Sequence, residues 1–159
     1  MFFAKPGIYE PCGIFSITHI IVLVICLVLI GIFVYKIRNI TAKKLNLITR
    51  IIAIVIVFLE TGKIVFSFVN HQTNLDSWVP LYFCSMFIFA TILSGYAKGW
   101  LKSLADAFIG SGGIIAGAMF LIMPSTSLTI YPMFHYLSCY SMLYHSLMVF
   151  LGMGYQIAE

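Results

Sequence analysis

The sequence predicts an all-α fold, a polytopic bundle of about five membrane-spanning helices with its N-terminus outside the cell. The chain of 159 residues is 62% hydrophobic and 9% charged, whereas about a quarter of the residues in a soluble domain are charged. Apolar runs of about twenty residues recur, which is the length that an α-helix needs to cross the hydrocarbon core. Lys and Arg are concentrated in two loops, which indicates how the helices are oriented.

The apolar runs and the loop charges place the helices in order. We expect one transmembrane domain over residues 1–159, with spans at about 14–35, 47–69, 79–96, 105–123 and 133–154. The loop after the first span carries no acid, and its cations are Lys36, Arg38, Lys43, Lys44 and Arg50. By the positive-inside rule, this loop and the one with Lys98 and Lys102 lie in the cytoplasm. Because the chain stops just past the fifth span, we also expect a C-terminally truncated form of a longer protein.

The remaining composition argues against several classes of function. The net charge of +4 comes from the two basic loops, so it gives no support for nucleic-acid binding. The four cysteines show no C-x-x-C pair or other zinc spacing, and neither H-E-x-x-H nor G-x-S-x-G is present. We therefore expect no metal, no cofactor and no nucleic-acid partner. Membrane phospholipids are the expected partners, and the oligomeric state stays open.

Ionisable and thiol side chains inside the spans are the candidate functional residues, because such groups are costly in hydrocarbon and usually face the bundle interior. Counting about 1.5 Å per residue places most of them in the outer half of the bilayer, on four helices. This set comprises His19, Glu60, Lys63, Cys84, His135, Cys139 and His145. The inner half has Asp106, near the cytoplasmic end of the fourth span. The distribution predicts a polar pocket that opens toward the outer leaflet.

Several of these residues also have a purely structural interpretation. Glu60 and Lys63 are three residues apart on one helix face and can neutralise each other, which we favour over a catalytic role. His19 can simply donate to a neighbouring carbonyl, so both interpretations of it stay open. Cys12 and Cys26 are expected to be inert, because a buried cysteine commonly behaves as a small hydrophobe.

Small residues on the fourth span predict close helix packing. Gly113 and Gly117 form a G-x-x-x-G motif, which lets two helix backbones approach each other. We expect this face to pack against a neighbouring helix.

Three segments, together with the start of the first helix, resemble a known family. They are Trp78-Val79-Pro80-Leu81-Tyr82-Phe83-Cys84-Ser85, Gly113 with residues 116–124, Tyr131-Pro132-Met133-Phe134-His135 with Tyr144-His145, and Phe15-Ser16-x-x-His19. This order and spacing resembles the bacterial YwaF-type integral membrane proteins, whose eukaryotic relative is a membrane acyltransferase that remodels ether phospholipids. In that family a Leu-Pro-Leu run leads to a cysteine on a helix, and a histidine lies on a later helix. Here Val79 replaces the usual leucine, Ser85 stands where many members have an acid, and the family's last helices have no counterpart.

The resemblance implies an integral membrane acyltransferase that acts on phospholipid acyl chains through an acyl-cysteine intermediate. The family's cysteine and histidine correspond to Cys84 as the nucleophile and His145 as its base, with His135 as the alternative base. The substrate pocket would be lined by His19, Glu60, Lys63 and His135. The resemblance also implies a multi-pass protein of the cell membrane, in a bacterial plasma membrane. The acyl donor, the acceptor, and the choice between transfer and hydrolysis stay open.

Two other classes of function are compatible with the sequence. In a transporter or channel, Glu60, Lys63 and His19 would form a proton or substrate path. In a non-enzymatic membrane protein, the fourth span would provide a packing face. Labelling by a lipid-like activity probe that depends on Cys84 would favour the enzyme, whereas gradient-driven flux in liposomes would favour the transporter.

The orientation is directly testable, because the basic loop after the first span must lie in the cytoplasm. A cysteine introduced by Lys43→Cys should not react with a membrane-impermeant thiol reagent on intact cells, and it should react once the cells are permeabilised. Labelling of that position on intact cells would refute the orientation.

Overall fold

A computed structural model of the chain describes residues 2–71 and 83–158, and within these ranges it contains helices and turns but no strand. A short 3-10 turn, Phe83–Ser85, precedes the third helix. The five helices are α1 Ile17–Ile37, α2 Ala42–Val69, α3 Met86–Tyr96, α4 Trp100–Ile122 and α5 Tyr136–Ala158. The all-α bundle expected from the sequence is therefore confirmed. The expected start of the third span at residue 79, and most of the predicted outer loop at 70–77, lie outside the described residues.

Apart from the start of the third span, helix boundaries differ from the expected spans by up to five residues. α1 begins after Ser16, whose extended backbone and hydroxyl cap the helix by accepting the His19 N–H at 3.2 Å. α2 begins at Ala42, so Lys43 and Lys44 belong to the helix and not to a loop. A helix of 28 residues is about 42 Å long, which exceeds the roughly 30 Å hydrocarbon core. The extra length lets its first turn place two lysines at the membrane surface.

Three of the helices, α1, α2 and α4, are long and apolar enough to cross a membrane. α3 is shorter; with its preceding turn it forms the apolar helix Phe83–Tyr96. α5 has 23 residues and carries polar side chains along most of its length. It packs against α1, α2 and α4. A helix surrounded by other helices can keep such side chains, because its neighbours supply their hydrogen-bond partners.

α4 is interrupted by a π-helical segment, Ile109–Gly113, between the α-helical stretches Trp100–Phe108 and Ile114–Ile122. A π turn leaves backbone carbonyls without their usual helical partners. α5 adds a hydrogen bond to this segment, since the Gln156 side-chain amide donates to the Gly110 carbonyl at 3.0 Å. The sequence analysis did not predict this segment.

Glycines on α4 and α5 allow the two helices to approach closely. A Cβ at Gly117 would lie 2.8 Å from the His145 carbonyl oxygen, and one at Gly113 would lie 3.2 Å from the Met148 carbonyl oxygen. From the opposite side, a Cβ at Gly152 would lie 2.9 Å from the Ile109 carbonyl oxygen. The G-x-x-x-G motif therefore packs against the backbone of α5, as the spacing predicted.

The N-terminal segment is joined to the connection between α4 and α5. The Cys12 N–H donates to the Tyr131 carbonyl at 3.1 Å, and the Gly13 N–H donates to the Leu128 carbonyl at 2.8 Å. Nearer the start of the chain, the Tyr136 N–H donates to the Phe2 carbonyl at 2.9 Å. These backbone hydrogen bonds hold the segment before α1 across one end of the bundle, next to the beginning of α5.

Replacing Gly117 by alanine tests the packing of α4 on α5. The new methyl group would lie too close to a backbone carbonyl and to Val149, so Gly117→Ala should destabilise the fold by about 1–3 kcal/mol. Gly31→Ala is the control, because a Cβ at Gly31 meets nothing within 4 Å, and it should leave stability unchanged or raise it slightly. The measurement is thermal unfolding of the purified protein in detergent. Equal melting temperatures for the two variants would contradict the packing.

Candidate functional site

Cys84 lies in the 3-10 turn that leads into α3. Its side chain is half-buried and packs against the main apolar cluster, which includes residues of α2, α3 and α5. The Tyr144 hydroxyl on α5 donates to the Cys84 backbone carbonyl at 2.7 Å. Since this carbonyl lies before the first full turn of α3, the hydrogen bond ties the cysteine-bearing turn to α5. Residues 78–82 of the motif that precedes Cys84 lie outside the described residues.

Aromatic contacts on the other side of the turn fix it against α4. The Phe83 and Phe108 rings have centroids 5.3 Å apart. A Cβ at Gly112 would lie 3.4 Å from the Phe83 ring, and one at Gly113 would lie 3.0 Å from the Phe87 ring. The glycines of the π segment therefore make the space into which these two phenylalanines fit. The Cys84 turn is thus held between α4 and α5.

His145 lies on α5 and faces α4. Its Nδ1 lies 2.7 Å from the Ser141 carbonyl oxygen, and because that oxygen accepts, Nδ1 must carry the proton and donate. The ring stacks on Phe120, with centroids 3.6 Å apart and an interplanar angle of 6°. Its Nε2 atom is buried and has no hydrogen-bond partner. In this tautomer, Nε2 presents a free lone pair inside the bundle.

Tyr144 contacts both the turn that carries Cys84 and the ring of His145. Its hydroxyl bonds the Cys84 carbonyl, and its ring makes an edge contact with the His145 ring at a centroid distance of 5.1 Å. Successive helix residues project about 100° apart, so Tyr144 and His145 leave α5 on different sides. No hydrogen bond joins the Cys84 thiol to the His145 ring in the part of the chain that the structure describes.

Glu60 and Lys63 form the ion pair that their spacing suggested. The Lys63 Nζ lies 2.5 Å from the Glu60 Oε1, and the side chains are 23% and 9% exposed. The other carboxylate oxygen of Glu60 accepts a short hydrogen bond from the Tyr140 hydroxyl. The Lys63 ammonium also lies 5.8 Å from the centre of the Tyr140 ring. The sequence analysis missed Tyr140, although its place one turn before Tyr144 on α5 was a signal that could have identified it.

Both ring nitrogens of His19 are hydrogen-bonded. Its Nδ1 accepts the Phe15 N–H at 3.1 Å, so its Nε2 donates to the Leu121 carbonyl at 3.0 Å. The ring is fully buried and joins the start of α1 to the last turn of α4. This geometry matches the structural interpretation, in which His19 donates to a neighbouring carbonyl.

Both ring nitrogens of His135 are also hydrogen-bonded. Its Nδ1 accepts the Leu137 N–H at 3.2 Å, and its Nε2 donates to the Ala4 carbonyl at 3.0 Å. The ring stacks on Tyr131 at a centroid distance of 4.1 Å. His135 therefore joins the N-terminal segment to the start of α5 as a neutral ring.

A second polar network, which the sequence analysis did not anticipate, lies toward the other end of the bundle. The Tyr155 hydroxyl on α5 is 3.0 Å from the Thr49 hydroxyl on α2 and 2.6 Å from the Ser94 hydroxyl on α3. Ser94 in turn donates to Asp106 on α4 at 2.5 Å, and Asp106 pairs with Lys102 at 2.9 Å. Asp106 thus belongs to a network that connects four helices.

The candidate residues offer no evident place for a metal ion. Within residues 2–71 and 83–158, no group of three or more His, Cys, Asp or Glu side chains lies close enough together to hold one. What the arrangement does present is a half-buried thiol, whose residue accepts a hydrogen bond from Tyr144 at its backbone carbonyl, and a histidine with one free nitrogen, whose ring also contacts Tyr144.

Comparison with models of protein families gives a match. The model of the TMEM164 family matches residues 14–157, which is nearly the whole chain. A search among curated proteins and a search among solved structures each found no match.

The ion pair on α2 can be tested by a double-mutant cycle. Lys63→Met leaves the Glu60 carboxylate in the bundle with Tyr140 as its partner, so stability should fall by up to about 3–5 kcal/mol, the range for a buried pair that loses one member. The double variant Lys63→Met with Glu60→Gln should recover most of that loss, because it removes the buried charge. Thermal unfolding in detergent is the measurement, with Lys43→Met as a control at an exposed lysine. A double variant as unstable as Lys63→Met would contradict this account.

Proposed function

The chain belongs to the TMEM164 family of membrane proteins, and from this premise we propose that it is an integral membrane acyltransferase acting on phospholipid acyl chains. Cys84 is the proposed nucleophile and His145 its base. Support comes from the motif resemblance to YwaF-type proteins and to their eukaryotic acyltransferase relative, together with the environment of the two side chains. On the same grounds we propose a multi-pass protein of the cell membrane, in a bacterial plasma membrane.

The observation that carries the proposal is the free Nε2 of His145. A general base needs a lone pair that no other donor occupies, and a second group must hold the ring in the correct tautomer. The Ser141 carbonyl does this by accepting the Nδ1 proton, and Nε2 is buried without a partner. In His19 and His135 both ring nitrogens are already hydrogen-bonded. Of these three histidines, His145 is the one equipped to accept a proton.

The position of Cys84 fits the role of nucleophile. A cysteine on a turn at the start of a helix, half-buried against an apolar cluster, can be reached by a lipid that enters sideways from the bilayer. Its backbone is fixed by Tyr144, which also contacts the His145 ring. Catalytic hydrogen bonds are often long or absent in a substrate-free enzyme and form when the substrate binds. In this proposal the thiol turns toward the His145 Nε2 as the ester enters beside Tyr144.

The reaction then proceeds in two transfers. The His145 Nε2 takes the thiol proton, and the thiolate attacks the phospholipid ester carbonyl. The ester C–O bond breaks, His145 returns the proton to the departing lysophospholipid oxygen, and the acyl group stays on Cys84 as a thioester. An acceptor lysophospholipid hydroxyl next gives its proton to His145 and attacks the thioester. The C–S bond breaks, the new ester leaves, and the proton returns to the Cys84 sulfur.

The cluster of Glu60, Lys63 and Tyr140 fits the wall of a substrate site better than a transport path. A path for protons or ions needs groups that exchange partners during the cycle, whereas Glu60 has both of its oxygens occupied, by Lys63 and by Tyr140. The Lys63 side chain is 23% exposed, so its ammonium is available to a phosphate group at the membrane surface. We therefore assign this cluster to the headgroup side of the proposed site.

Replacing the two reacting residues tests the mechanism. Cys84→Ser should abolish acyl transfer, because a serine hydroxyl is far harder to deprotonate than a thiol. His145→Ala should lower transfer by about 10²–10⁴-fold, the usual contribution of a general base. The double variant should be no less active than Cys84→Ser alone, since the residues act as a unit. The assay follows a labelled acyl group from phospholipid to lysophospholipid in proteoliposomes.

Cys12→Ser is the matched control, because it makes the same chemical change at a half-buried thiol of the segment before α1, and it should retain activity. Full activity in Cys84→Ser would eliminate the mechanism. A loss in His135→Ala together with full activity in His145→Ala would keep the nucleophile and change the base.

A further inference from the structure

An apolar groove of about 450 Å³ lies between α1 and α5. From α1 it is lined by Cys26, Leu29 and Phe33, and from α5 by Met142, Ser146 and Phe150. A volume of this size falls in the range of roughly 300–1,000 Å³ that is typical of small-ligand sites. The groove is thus large enough to hold one extended molecule.

The chemistry of the lining excludes polar ligands. No lining residue is charged. The Ser146 hydroxyl donates to the Met142 carbonyl at 2.7 Å, and the Cys139 thiol, also in the lining, donates to the Met133 carbonyl at 3.6 Å. These groups are used within the protein, so a ligand in the groove meets hydrocarbon surface and sulfur. An occupant must therefore be apolar along its whole length.

The surroundings of the groove indicate which apolar molecule covers it. α1 is a candidate membrane span, and only 17% of its most apolar window is buried inside the bundle, so most of its surface faces lipid. Leu29 and Phe33 are 47% and 51% exposed, which makes the groove continuous with that lipid-facing surface. Water does not enter the hydrocarbon core, and an unfilled groove would lose van der Waals contacts along its lining.

We propose that this groove binds one acyl chain of a membrane phospholipid. It runs along α5 from Cys139 to Phe150, twelve residues with a rise of about 17 Å, so the occupant lies parallel to the helix, as lipid tails do. Lipid tails and apolar side chains are equally hydrophobic, so hydrophobicity alone does not hold one lipid chain in the groove. Close packing against the lining retains that chain.

The groove is separate from the proposed reaction site. Cys139, Leu143, Ser146 and Phe150 form one stripe of α5, with spacings of three or four residues. Tyr140 and Tyr144, which contact Glu60 and the Cys84 turn, form another stripe about a third of a turn away. The groove therefore goes beyond the proposed acyl transfer and does not depend on it.

Photo-crosslinking with a matched pair of variants tests the site. The protein is reconstituted with a phosphatidylcholine that carries a diazirine at the end of one acyl chain, irradiated, and mapped by mass spectrometry. We expect crosslinks to concentrate on groove residues and to fall several-fold in Leu29→Trp, which fills the groove. Leu27→Trp is the control, because Leu27 is 52% exposed on the same helix and does not line the groove, and it should leave the crosslinks unchanged.

Three results would overturn the proposal. The first is a set of lipid crosslinks spread evenly over the exposed face of α1. The second is an equal loss of lipid crosslinks in both tryptophan variants. The third is a crosslink between the Cys139 residues of two protein copies that replaces the crosslink to lipid. The crosslink map of the parent protein alone shows whether the crosslinks concentrate on the groove, even if Leu29→Trp does not fold. Cys84→Ser should label as well as the parent, so a failed acyl-transfer mechanism and a failed lipid site give different outcomes.

Discussion

The hydrogen bonds that the tyrosines of α5 make to neighbouring helices are the interactions on which the bundle depends. Tyr136 donates to the Leu59 carbonyl and Tyr140 to Glu60, both on α2. Tyr144 donates to the Cys84 carbonyl before α3, and Tyr155 reaches both α2 and α3. Inside a bilayer, helices are not driven together by water, so packing and interhelical hydrogen bonds must hold them. α5 provides these bonds near both of its ends, which explains how a long helix with many polar side chains can pack among the other helices.

The close approach of α4 to α5 also positions the residues of the proposed site. Gly117 brings α4 against the backbone of α5 at His145, and the glycines of the π segment make room for Phe83 and Phe87 beside α3. The same packing that holds α4 also places Phe120 against the His145 ring and fixes the turn that carries Cys84. Position of the thiol and orientation of the histidine therefore share a structural cause, the absence of side chains on one face of α4.

Much of the fold was predictable, because each inference rested on a local physical rule. Apolar runs require helices in a membrane, the G-x-x-x-G spacing predicts close packing, and Glu60 and Lys63 pair because they are one turn apart. What escaped prediction depends on contacts between distant residues. Nothing local marks Thr49, Ser94 and Tyr155 as one network around Asp106. The carbonyl of Gly110 in the π segment likewise accepts a hydrogen bond from another helix, from Gln156. The three candidate histidines looked alike in sequence, since the partners that occupy His19 and His135 are backbone groups of other segments.

Within the proposed site, the unpartnered nitrogen of His145 is a feature that packing does not require. Most buried polar atoms in folded proteins have a partner, and leaving an acceptor unpaired costs about 1–3 kcal/mol. The chain avoids that cost at His19, where two backbone groups occupy the ring, so it has the means to satisfy a buried imidazole. At His145 one nitrogen is held by Ser141 and the other is left free beside Tyr144 and Phe120. A role in packing alone would be served by phenylalanine at this position without the cost. A buried polar atom without a partner also occurs at Asn46, Ser127 and Ser138. What marks His145 is that its free atom carries the kind of lone pair that the proposed proton transfer requires.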